Sequence, residues 1–479
     1  MWSVELKNPA PAPAMFRRLR RREGVFWLDA ARGGRASFMS FAPSAQLRIE
    51  RDGGARRREA ASESVEREDS ARAIARFVSE APLLVPGGRA PRTVGFLGYD
   101  LGPNLEPHLA ALPNDDADTP LALLARYDAI LVCEPLEDGP EALCRLTVEA
   151  ADRAAGERLV AALSEADEDG PEEPIRGRLV EAPIWEEYRP AITRALEYIA
   201  AGDVYQVNLA RRFRVESAAR PCDAYLQFRR TQPVPFGAFV DFGDFAVLSN
   251  APERFLRVRD QTIRTEPIKG THRRHPDAAA DHELARQLVV DPKERAEHVM
   301  IVDLERNDLG RICEHGTVHV TSLLRLETFA TLHHLVSTVE GQLRETVDLA
   351  AILRATFPGG SITGAPKIRA SQVIAELEPY GRGPYTGALF WFRSEDDFDS
   401  SIAIRTAIAR RGVYSYHAGG GIVADSDAER EYAECWLKSK AFLSTFLGPE
   451  AAARCVDRTV DEQSPRYGAL PPSPARSAE

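Results

Sequence analysis

Three glutamates fall on predicted helices with a spacing that suits a divalent cation. Glu431 and Glu434 stand three residues apart and Lys438 follows, so a helix places all three side chains on one face. Two carboxylates on one face repel each other unless a cation lies between them. Magnesium prefers oxygen ligands and is often held by one or two carboxylates together with water and substrate oxygens. Glu297, on another predicted helix, could complete such a site, but an exposed face with Lys438 as the counter-charge explains the pair equally well.

The helix that carries Glu297 has clear boundary signals. Asp291 is a typical N-cap, Pro292 suits the first helical position, and Gly310 can end the helix. Glu294 occupies the position at which a capping box has its acid, so we interpret Glu294 as a capping residue. Capping does not explain Glu297, which stays a candidate ligand beside the alternative of a solvated glutamate.

Lys269 lies in a stretch, 267–271, whose composition predicts a turn. The stretch follows a predicted strand at 261–266, where proline ends the strand and glycine lets the backbone change direction. A lysine on such a turn points either at a bound ligand or into solvent, and most lysines are solvated. The other motifs of the chain therefore decide between these two interpretations.

Three further stretches could hold an anion. The loop 359–367 enters a predicted helix, whose free N–H groups and positive dipole end favour a carboxylate. The stretch 417–422 ends a predicted strand in three glycines, whose N–H groups could form an anion nest. Arg405, predicted on a strand at 402–407, could pair with a carboxylate through two hydrogen bonds. A tight turn, a bulge and a surface arginine are the alternatives, and neither loop has the phosphate-binding G-x-x-x-x-G-K-[ST] pattern.

Composition narrows the function classes. The chain has 479 residues, 44% of them apolar, which is enough for a sizeable core, and a net charge of −11. That charge argues against a nucleic-acid-binding protein, which needs a basic face. Six cysteines without C-x-x-C pairs argue against a disulfide framework or a zinc site and favour the reduced cytoplasm. No apolar run reaches the length of a membrane span, and the first residues lack a signal pattern.

The patterns along the chain predict an α+β fold with antiparallel sheets. Residues 51–68 are predicted as a solvated loop or a ragged hairpin, and an acidic, proline-containing linker at 165–175 separates an amino-terminal part, 1–175, from a catalytic part, 180–448. The tail, 449–479, is rich in Pro, Ser, Ala and Arg and is predicted to be disordered. Helices are predicted at Ser70–Ser79, 151–165 and 184–201, and strands at 24–29, 44–49, 93–102, 127–132, 203–209, 236–240 and 245–249.

Seven segments, taken in order, resemble the signatures of the chorismate-utilising enzymes. These segments are 202–209, 252–255, 267–271, 297–308, 333–338, 359–367 and 418–425, and the resemblance covers roughly 180–448, and 90–135 more faintly. The sequence Pro-Ile-Lys-Gly-Thr at 267–271 is similar to the aminodeoxychorismate synthase branch of that family, whereas anthranilate synthases usually have alanine in place of the lysine. The resemblance implies a sandwich-like core of antiparallel sheets flanked by helices.

The resemblance also implies how the substrate is held. Magnesium would bind the ring carboxylate of chorismate through Glu297 and Glu434, with Glu431 nearby. The enolpyruvyl carboxylate would meet Arg405 and Tyr385. Further positions that the resemblance assigns to substrate binding are Gly270, Thr271, Ser361, Gly419, Gly420, Gly421 and Lys438.

Four residues would carry the chemistry that the resemblance implies. Glu253 matches the acid that protonates the departing C4 hydroxyl, and burial would have to raise its pKa. Lys269 would attack ring C2 as a neutral amine and expel that hydroxyl, before ammonia enters at C4. Gln206 stands where the water-adding relatives have a basic lysine, and glutamine cannot activate water. His334 matches a histidine near the leaving or attacking group.

The function implied is magnesium-dependent amination of chorismate at C4, which gives 4-amino-4-deoxychorismate for 4-aminobenzoate and folate synthesis. Ammonia would come from a separate glutamine amidotransferase subunit, because none of the six cysteines has a nucleophile-elbow context. The alternatives are anthranilate synthase component I, which Lys269 argues against, and isochorismate or salicylate synthesis, which Gln206 disfavours. A non-catalytic scaffold that binds chorismate or an amidotransferase is a further alternative.

Overall fold

The chain folds into two large antiparallel sheets with helices packed around them, which confirms the predicted α+β class. The computed structural model describes residues 1–30, 35–59, 62–114, 116, 118–165, 174–328 and 332–463. No helix in these ranges is both long enough and apolar enough to cross a membrane.

Runs of consecutive strands are separated by single helices or pairs of helices. The strands of the amino-terminal part and of the segment that follows it are β1 (Trp2–Glu5), β2 (Ala10–Pro11), β3 (Phe26–Asp29), β4 (Ser37–Ser40), β5 (Ala45–Ile49), β6 (Ala55–Glu59), β7 (Ser62–Glu66), β8 (Thr93–Leu97), β9 (Ala122–Arg126), β10 (Ala129–Pro135), β11 (Leu143–Ala150) and β12 (Arg178–Glu181). The remaining strands are β13 (Gln206–Glu216), β14 (Phe236–Asp241), β15 (Ala246–Ala251), β16 (Arg254–Arg259), β17 (Thr262–Glu266), β18 (Ile268–Arg273), β19 (His319–Thr328), β20 (Leu332–Gln342), β21 (Gly364–Ala365), β22 (Ala388–Ser394), β23 (Asp397–Ile402), β24 (Thr406–Arg410) and β25 (Val413–Ile422).

Several helices begin at an aspartate whose side chain caps them. The Asp69 side chain, for example, accepts the Arg72 N–H at 3.1 Å and starts the second helix, which spans the predicted Ser70–Ser79. The helices are α1 (Ala12–Leu19), α2 (Ser70–Ser79), α3 (Gly102–Leu105), α4 (Arg153–Ser164), α5 (Trp185–Ala200), α6 (Pro221–Thr231), α7 (Ala278–Val290), α8 (Pro292–Gly310), α9 (Leu349–Thr356), α10 (Lys367–Leu377), α11 (Ala428–Leu447) and α12 (Pro449–Gln463), with a 3-10 turn at Tyr99–Leu101.

Each sheet takes strands from both sides of the predicted linker. The first sheet runs β1-β11-β10-β4-β3-β14-β15-β24-β25-β13-β12, and the second runs β18-β20-β17-β16-β23-β22-β8-β9-β5-β6-β7. The amino-terminal part joins the rest where β3 pairs with β14 and where β8 pairs with β22. A buried cluster that includes Phe26, Phe96 and Phe245 packs across these junctions. The boundary at 165–175 stays a prediction, and most of it, 166–173, lies outside the described residues.

Two local predictions need correction. The stretch 267–271 is not a turn, because it enters β18, which pairs with β20 just as β17 does. The predicted disorder of 449–479 is wrong for α12, which packs against α11 with Ala452 and Val456 buried. Residues 464–479 lie outside the described part of the chain. For 51–68, the hairpin alternative holds, because β6 pairs with β7.

A buried ion pair fastens β13 to the loop that follows α10. Arg382 and Glu378 are both inaccessible to solvent, and their closest N–O distance is 2.7 Å. The Arg382 guanidinium also donates to the Asn208 carbonyl at 2.7 Å and to the Ile362 carbonyl at 3.2 Å, while Glu378 Oε1 accepts the Ala210 N–H at 2.8 Å. One charged pair therefore ties together three segments that reach the candidate site described below.

Removing one partner of this pair should strongly destabilise the fold. Glu378→Ala leaves the Arg382 charge buried and unpaired, so we expect the free energy of unfolding in urea to fall by about 3–5 kcal/mol. Glu376→Ala is the matched control, since this neighbouring glutamate is 48% exposed and pairs with Arg194 on the surface. Its loss should stay below about 1 kcal/mol. Equal losses for the two variants would contradict this account of the pair.

Candidate active site

Lys269 and Glu297 face each other between β18 and α8. Lys269 Nζ lies 3.4 Å from Glu297 Oε2, and Lys293 Nζ lies 4.0 Å from Glu297 Oε1. The side chains of Lys269 and Glu297 are only 20% and 17% exposed. The lysine of the 267–271 stretch therefore points at another charged residue of the protein, which rules out the fully solvated alternative.

Gly270 produces the bulge that allows this contact. Its φ is +73°, in the region that favours glycine, and the pairing of β18 with β20 shifts register between Lys269 and Thr271. A Cβ at Gly270 would lie 2.9 Å from Leu288 Cδ1 and 3.1 Å from a Glu294 carboxylate oxygen. Only glycine fits between β18 and the two helices α7 and α8 without a shift of these neighbours.

The acidic face of α11 forms as predicted. Lys438 Nζ lies 2.8 Å from Glu434 Oε1, and Glu431 Oε1 accepts a hydrogen bond from Ser426 Oγ at 2.7 Å. Burial, and then the neighbouring charge of Glu434, raise the pKa of Glu431. The Lys438 ammonium holds the pKa of Glu434 below its usual value, although burial acts in the opposite direction. Lys438 is thus the counter-charge of Glu434, as the alternative interpretation proposed.

The charge of Lys269 acts on acids of both α8 and α11. The charges of Lys269 and Lys293, which both approach Glu297, also lower the pKa of Glu434, after the larger effect of Lys438. Within the residues that the structure describes, no group of three or more His, Cys, Asp or Glu side chains is gathered closely enough to hold a metal. The candidate site therefore has carboxylates on two helices, α8 and α11, and lysines that act on both sets.

The sequence predicts an anion nest at Gly419–Gly421, and the structure contradicts it. All three glycines lie inside β25, where Gly419 is opposite Ala210, Gly420 opposite Leu209 and Gly421 opposite Asn208. None of the three has the left-handed φ that a nest requires. The long partner strand β13 keeps the backbone extended here.

The glycines nevertheless face the site. A Cβ at Gly420 would lie 3.0 Å from a Glu431 carboxylate oxygen and 3.8 Å from Lys438 Nζ, so the bare backbone leaves room above the acids. The Gly419 carbonyl accepts a hydrogen bond from Lys438 Nζ at 2.7 Å. Beyond Tyr416, β25 no longer pairs with β24, so this edge of the strand is open towards the acids.

Gln206 is buried with its polar group unused. The residue is inaccessible to solvent, and neither Nε2 nor Oε1 has a hydrogen-bond partner in the described part of the chain. A Cβ at Gly421 would lie 2.9 Å from Gln206 Cδ, which explains the glycine at that position. A buried amide without partners costs free energy, so Gln206 is suited to binding a polar group of a ligand.

Glu253 is a buried carboxyl in the turn between β15 and β16. Its Oε1 accepts hydrogen bonds from Ser361 Oγ at 3.2 Å and from the Ile268 N–H at 3.4 Å. Burial raises the pKa of Glu253 to about 7, against the opposing effects of these hydrogen bonds and of the charges of Lys269 and Arg405. The raised pKa that the sequence resemblance required is therefore present.

Arg405 does not lie on a continuous strand, as the sequence predicts, but at a crossover between the two sheets. The strand β23 ends at Ile402 in the second sheet, and β24 begins at Thr406 in the first. Arg405 has a φ of +51°, which is uncommon for a residue with a side chain. No salt-bridge partner within 4.0 Å neutralises its guanidinium among the residues that the structure describes, and its charge acts on Glu253 and His334.

His334 and Tyr385 border the same region. His334 Nδ1 lies 3.4 Å from the Gly270 carbonyl, and burial lowers the pKa of His334 to about 4, with a smaller contribution from Arg405. The imidazole is therefore neutral near pH 7. Tyr385 is buried and stacks on His417 with ring centroids 5.1 Å apart. The backbone of Thr271 lies opposite His334 in the pairing of β18 with β20.

Glu294 belongs to this site, although the sequence interpretation assigned it to capping. The Asp291 N–H, which a capping box would offer to Glu294, donates instead to the Gln287 carbonyl at 2.9 Å. The Glu294 carboxylate lies beside Gly270. The signal that could have revealed it is the spacing, because Glu294 and Glu297 are three residues apart, just as Glu431 and Glu434 are.

The loop 359–367 faces acids of the protein itself. A Cβ at Gly360 would lie 3.5 Å from Glu305 Oε1, and Lys367 Nζ lies 2.5 Å from Asp308 Oδ2. Burial, and then the charge of Asp308, raise the pKa of Glu305 to about 8. Sequence reasoning did not select Glu305 or Asp308. The contribution of this loop to the site is Ser361, through its hydrogen bond to Glu253.

Comparisons with known proteins connect this arrangement to named enzymes. The chain is 40% identical over 405 residues to anthranilate synthase component 1 of Streptomyces coelicolor, which covers 79% of this chain and 77% of that protein. It is also 40% identical over 359 residues to aminodeoxychorismate synthase component 1 of Klebsiella aerogenes, which covers 73% of this chain and 76% of that protein.

The solved structures agree with the sequence relatives. The crystal structure of anthranilate synthase component I from Streptococcus pneumoniae TIGR4 superposes with a TM-score of 0.72 and 30% identity, and covers 85% of this chain and 91% of that chain. This confirms the anthranilate synthase component I-like fold. Residues 23–444, which include every candidate residue above, match the chorismate binding enzyme family. The chain therefore belongs to the chorismate-binding enzymes, as its seven sequence segments predicted.

Proposed function

We propose that this enzyme aminates chorismate at C4 and forms 4-amino-4-deoxychorismate, the precursor of 4-aminobenzoate and folate. The observation that carries the proposal is the position of Lys269, which pairs with Glu297 and follows Ile268, whose backbone N–H donates to the buried acid Glu253. The relatives include both anthranilate and aminodeoxychorismate synthases at similar identity, so the choice between the two reactions rests on the residues of the site.

The carboxylates on α8 and α11 fit the ligand preference of magnesium. Glu297 and Glu434 would hold the ion, with Glu431 through water, and the open backbone at Gly420 leaves space above them. Magnesium commonly takes one or two carboxylates and completes its shell with water and substrate oxygens. One carboxylate from each helix would therefore be enough, although no three acidic, histidine or cysteine side chains are gathered closely in the described part of the chain. Bound there, the ion would neutralise and anchor the ring carboxylate of chorismate.

The remaining charges suit the second carboxylate of the substrate. Arg405 has no salt-bridge partner within 4.0 Å in the described part of the chain, and a guanidinium binds a carboxylate through two parallel hydrogen bonds. The buried Tyr385 hydroxyl and the open edge of β25 at Gly421 supply further polar contacts. Chorismate would thus be fixed at both of its carboxylates.

The nucleophile and the acid lie on adjacent segments. The Lys269 amine would attack ring C2, and the bond between C4 and its hydroxyl would break as Glu253 donates a proton, so that water leaves. Ammonia would then form a bond to C4, Lys269 would depart from C2, and the proton lost by the incoming amine would restore Glu253. Because the Ile268 N–H donates to Glu253, the strand that carries Lys269 also positions the acid.

Gln206 favours ammonia over water as the second nucleophile. A glutamine amide cannot deprotonate water, whereas ammonia attacks without such help. We propose that a separate glutamine amidotransferase subunit supplies the ammonia and that the pair works in the cytoplasm, the setting that the scattered cysteines favour.

Product identity tests the proposed function. The purified protein is incubated with chorismate, ammonium and magnesium, with and without an aminodeoxychorismate lyase. The products are separated by chromatography and identified by mass spectrometry. We expect 4-aminobenzoate only in the presence of the lyase, because the proposed reaction does not eliminate pyruvate. Anthranilate formed without the lyase would instead assign the chain to the tryptophan branch, and magnesium-dependent binding without turnover would favour a scaffold.

The rate should fall as the pH rises through the pKa of Glu253. The pKa of Glu253 is raised to about 7 and its active form is the protonated acid, so this group gives kcat/KM a limb that falls as the pH rises above about 7. The assay holds the concentration of free ammonia constant, because the total ammonium pool would otherwise supply more nucleophile at high pH. A flat profile between about pH 5 and 9 would exclude Glu253 as the acid.

Glu253→Gln should remove the proton donor while keeping the shape of the side chain. We expect kcat/KM to fall by about 10²–10⁴-fold, the usual contribution of a general acid. Ser361→Ala is the control for the environment of Glu253, since it removes one hydrogen bond to the carboxylate and keeps the acid. A Glu253→Gln enzyme as active as the unmodified enzyme would assign proton donation to another group.

A further inference from the structure

The acids proposed to bind magnesium already have lysines as counter-charges. The ammonium groups of Lys269, Lys293 and Lys438 act on the carboxylates of Glu297, Glu431 and Glu434. A divalent cation that binds these acids would add two positive charges where lysines already lie. Chorismate, with its two carboxylates, would bring the matching negative charge.

The three lysines differ in how strongly they are held at their carboxylate partners. Lys438 is held by two contacts, because its Nζ lies 2.8 Å from Glu434 Oε1 and donates a hydrogen bond to the Gly419 carbonyl at 2.7 Å. Lys293 is 50% exposed and lies 4.0 Å from Glu297, so it is a weak surface partner. Lys293 can therefore move into solvent at little cost, and Lys438 pairs with Glu434 rather than with Glu297, so the ion pair that a cation at Glu297 must break is that of Lys269.

Lys269 contacts one acidic helix, and its charge acts on the acids of the other. Its Nζ lies 3.4 Å from Glu297 Oε2, its side chain is only 20% exposed, and its charge acts on both Glu431 and Glu434. Glu297 is the single carboxylate within 4.0 Å of the Lys269 ammonium among the described residues. Lys269 thus occupies one of the two oxygens through which Glu297 could bind a metal.

We propose that Lys269 and the metal ion compete for Glu297, so that binding of the ion releases Lys269 from its ion pair. This inference rests on the proposed function, whose metal site and nucleophile it links. In the metal-free protein, Lys269 is held at Glu297, away from the substrate ring. When the ion and dianionic chorismate enter together, their charges cancel and Lys269 leaves Glu297. The released ammonium then gives its proton to solvent, and the neutral amine is free to turn towards C2. Lys269 therefore does not attack before the metal ion and the substrate are both bound.

Metal affinity measured without chorismate tests the competition directly. Titration calorimetry with Mn²⁺ and Mg²⁺ is carried out on the unmodified protein and on Lys269→Met, which keeps the length of the side chain and removes its charge. We expect Lys269→Met to bind the ion at least about tenfold more tightly, which corresponds to about 1.4 kcal/mol. Lys269→Arg keeps a competing charge and should bind the ion no more tightly than the unmodified protein.

Lys293→Met is the matched control for a general loss of positive charge. It removes an ammonium near the other oxygen of Glu297, but from an exposed position, so the gain in metal affinity should stay below about fivefold. Equal gains for Lys269→Met and Lys293→Met would overturn the competition, because long-range electrostatics would then explain both. Unchanged or weaker binding by a folded Lys269→Met protein would overturn it as well.

Glu297→Gln separates failure of this inference from failure of the proposed function. If the ion binds through Glu297, this variant should lose metal affinity in both the native and the Lys269→Met backgrounds. A loss in Glu297→Gln without a gain in Lys269→Met keeps the metal site and rejects the competition. Metal binding that is indifferent to Glu297 rejects the proposed site itself, and the competition with it.

Discussion

The bulge at Gly270 is the constraint on which the site depends. Its left-handed backbone and the lack of a side chain let β18 lie close against α7 and α8, so that Lys269 reaches Glu297. The Gly270 carbonyl also approaches His334 on β20. The residue before Lys269 donates its N–H to Glu253, so one irregular strand positions the proposed nucleophile and the proposed acid together. A regular strand at this place would move these groups relative to one another.

The cleft keeps its carboxyl groups in two different states. Glu253 is buried and has no salt-bridge partner within 4.0 Å in the described part of the chain, so burial raises its pKa to about 7 and a proton is available near neutrality. Glu434 lies beside Lys438, which lowers its pKa and keeps it ionised as a metal ligand should be. One site thus presents a proton donor and anionic ligands at the same pH. Neighbouring charge and burial, which act in opposite directions, produce this separation.

The sequence predicts elements whose signals are local and misses those that depend on distant partners. The helix Ser70–Ser79 and the shared face of Glu431, Glu434 and Lys438 follow from helical spacing, and both are observed. The anion nest is wrong because β13, some 200 residues earlier in the chain, pairs with the glycines and extends them. The strand predicted through Arg405 breaks because its two ends belong to different sheets. Glu294 was assigned to capping, and only the tertiary contact with Gly270 shows that it faces the cleft.

The central claim is that Lys269 acts as a nucleophile and so selects C4 of chorismate. Rapid quenching during turnover, followed by mass spectrometry of the intact chain and its peptides, tests this claim most directly. The account predicts a transient adduct on Lys269 with the added mass of chorismate less one water, and no adduct in a Lys269→Met protein. Turnover of chorismate by the native enzyme with no adduct on Lys269 at any time, and with nitrogen found at C2 of the product, would contradict it.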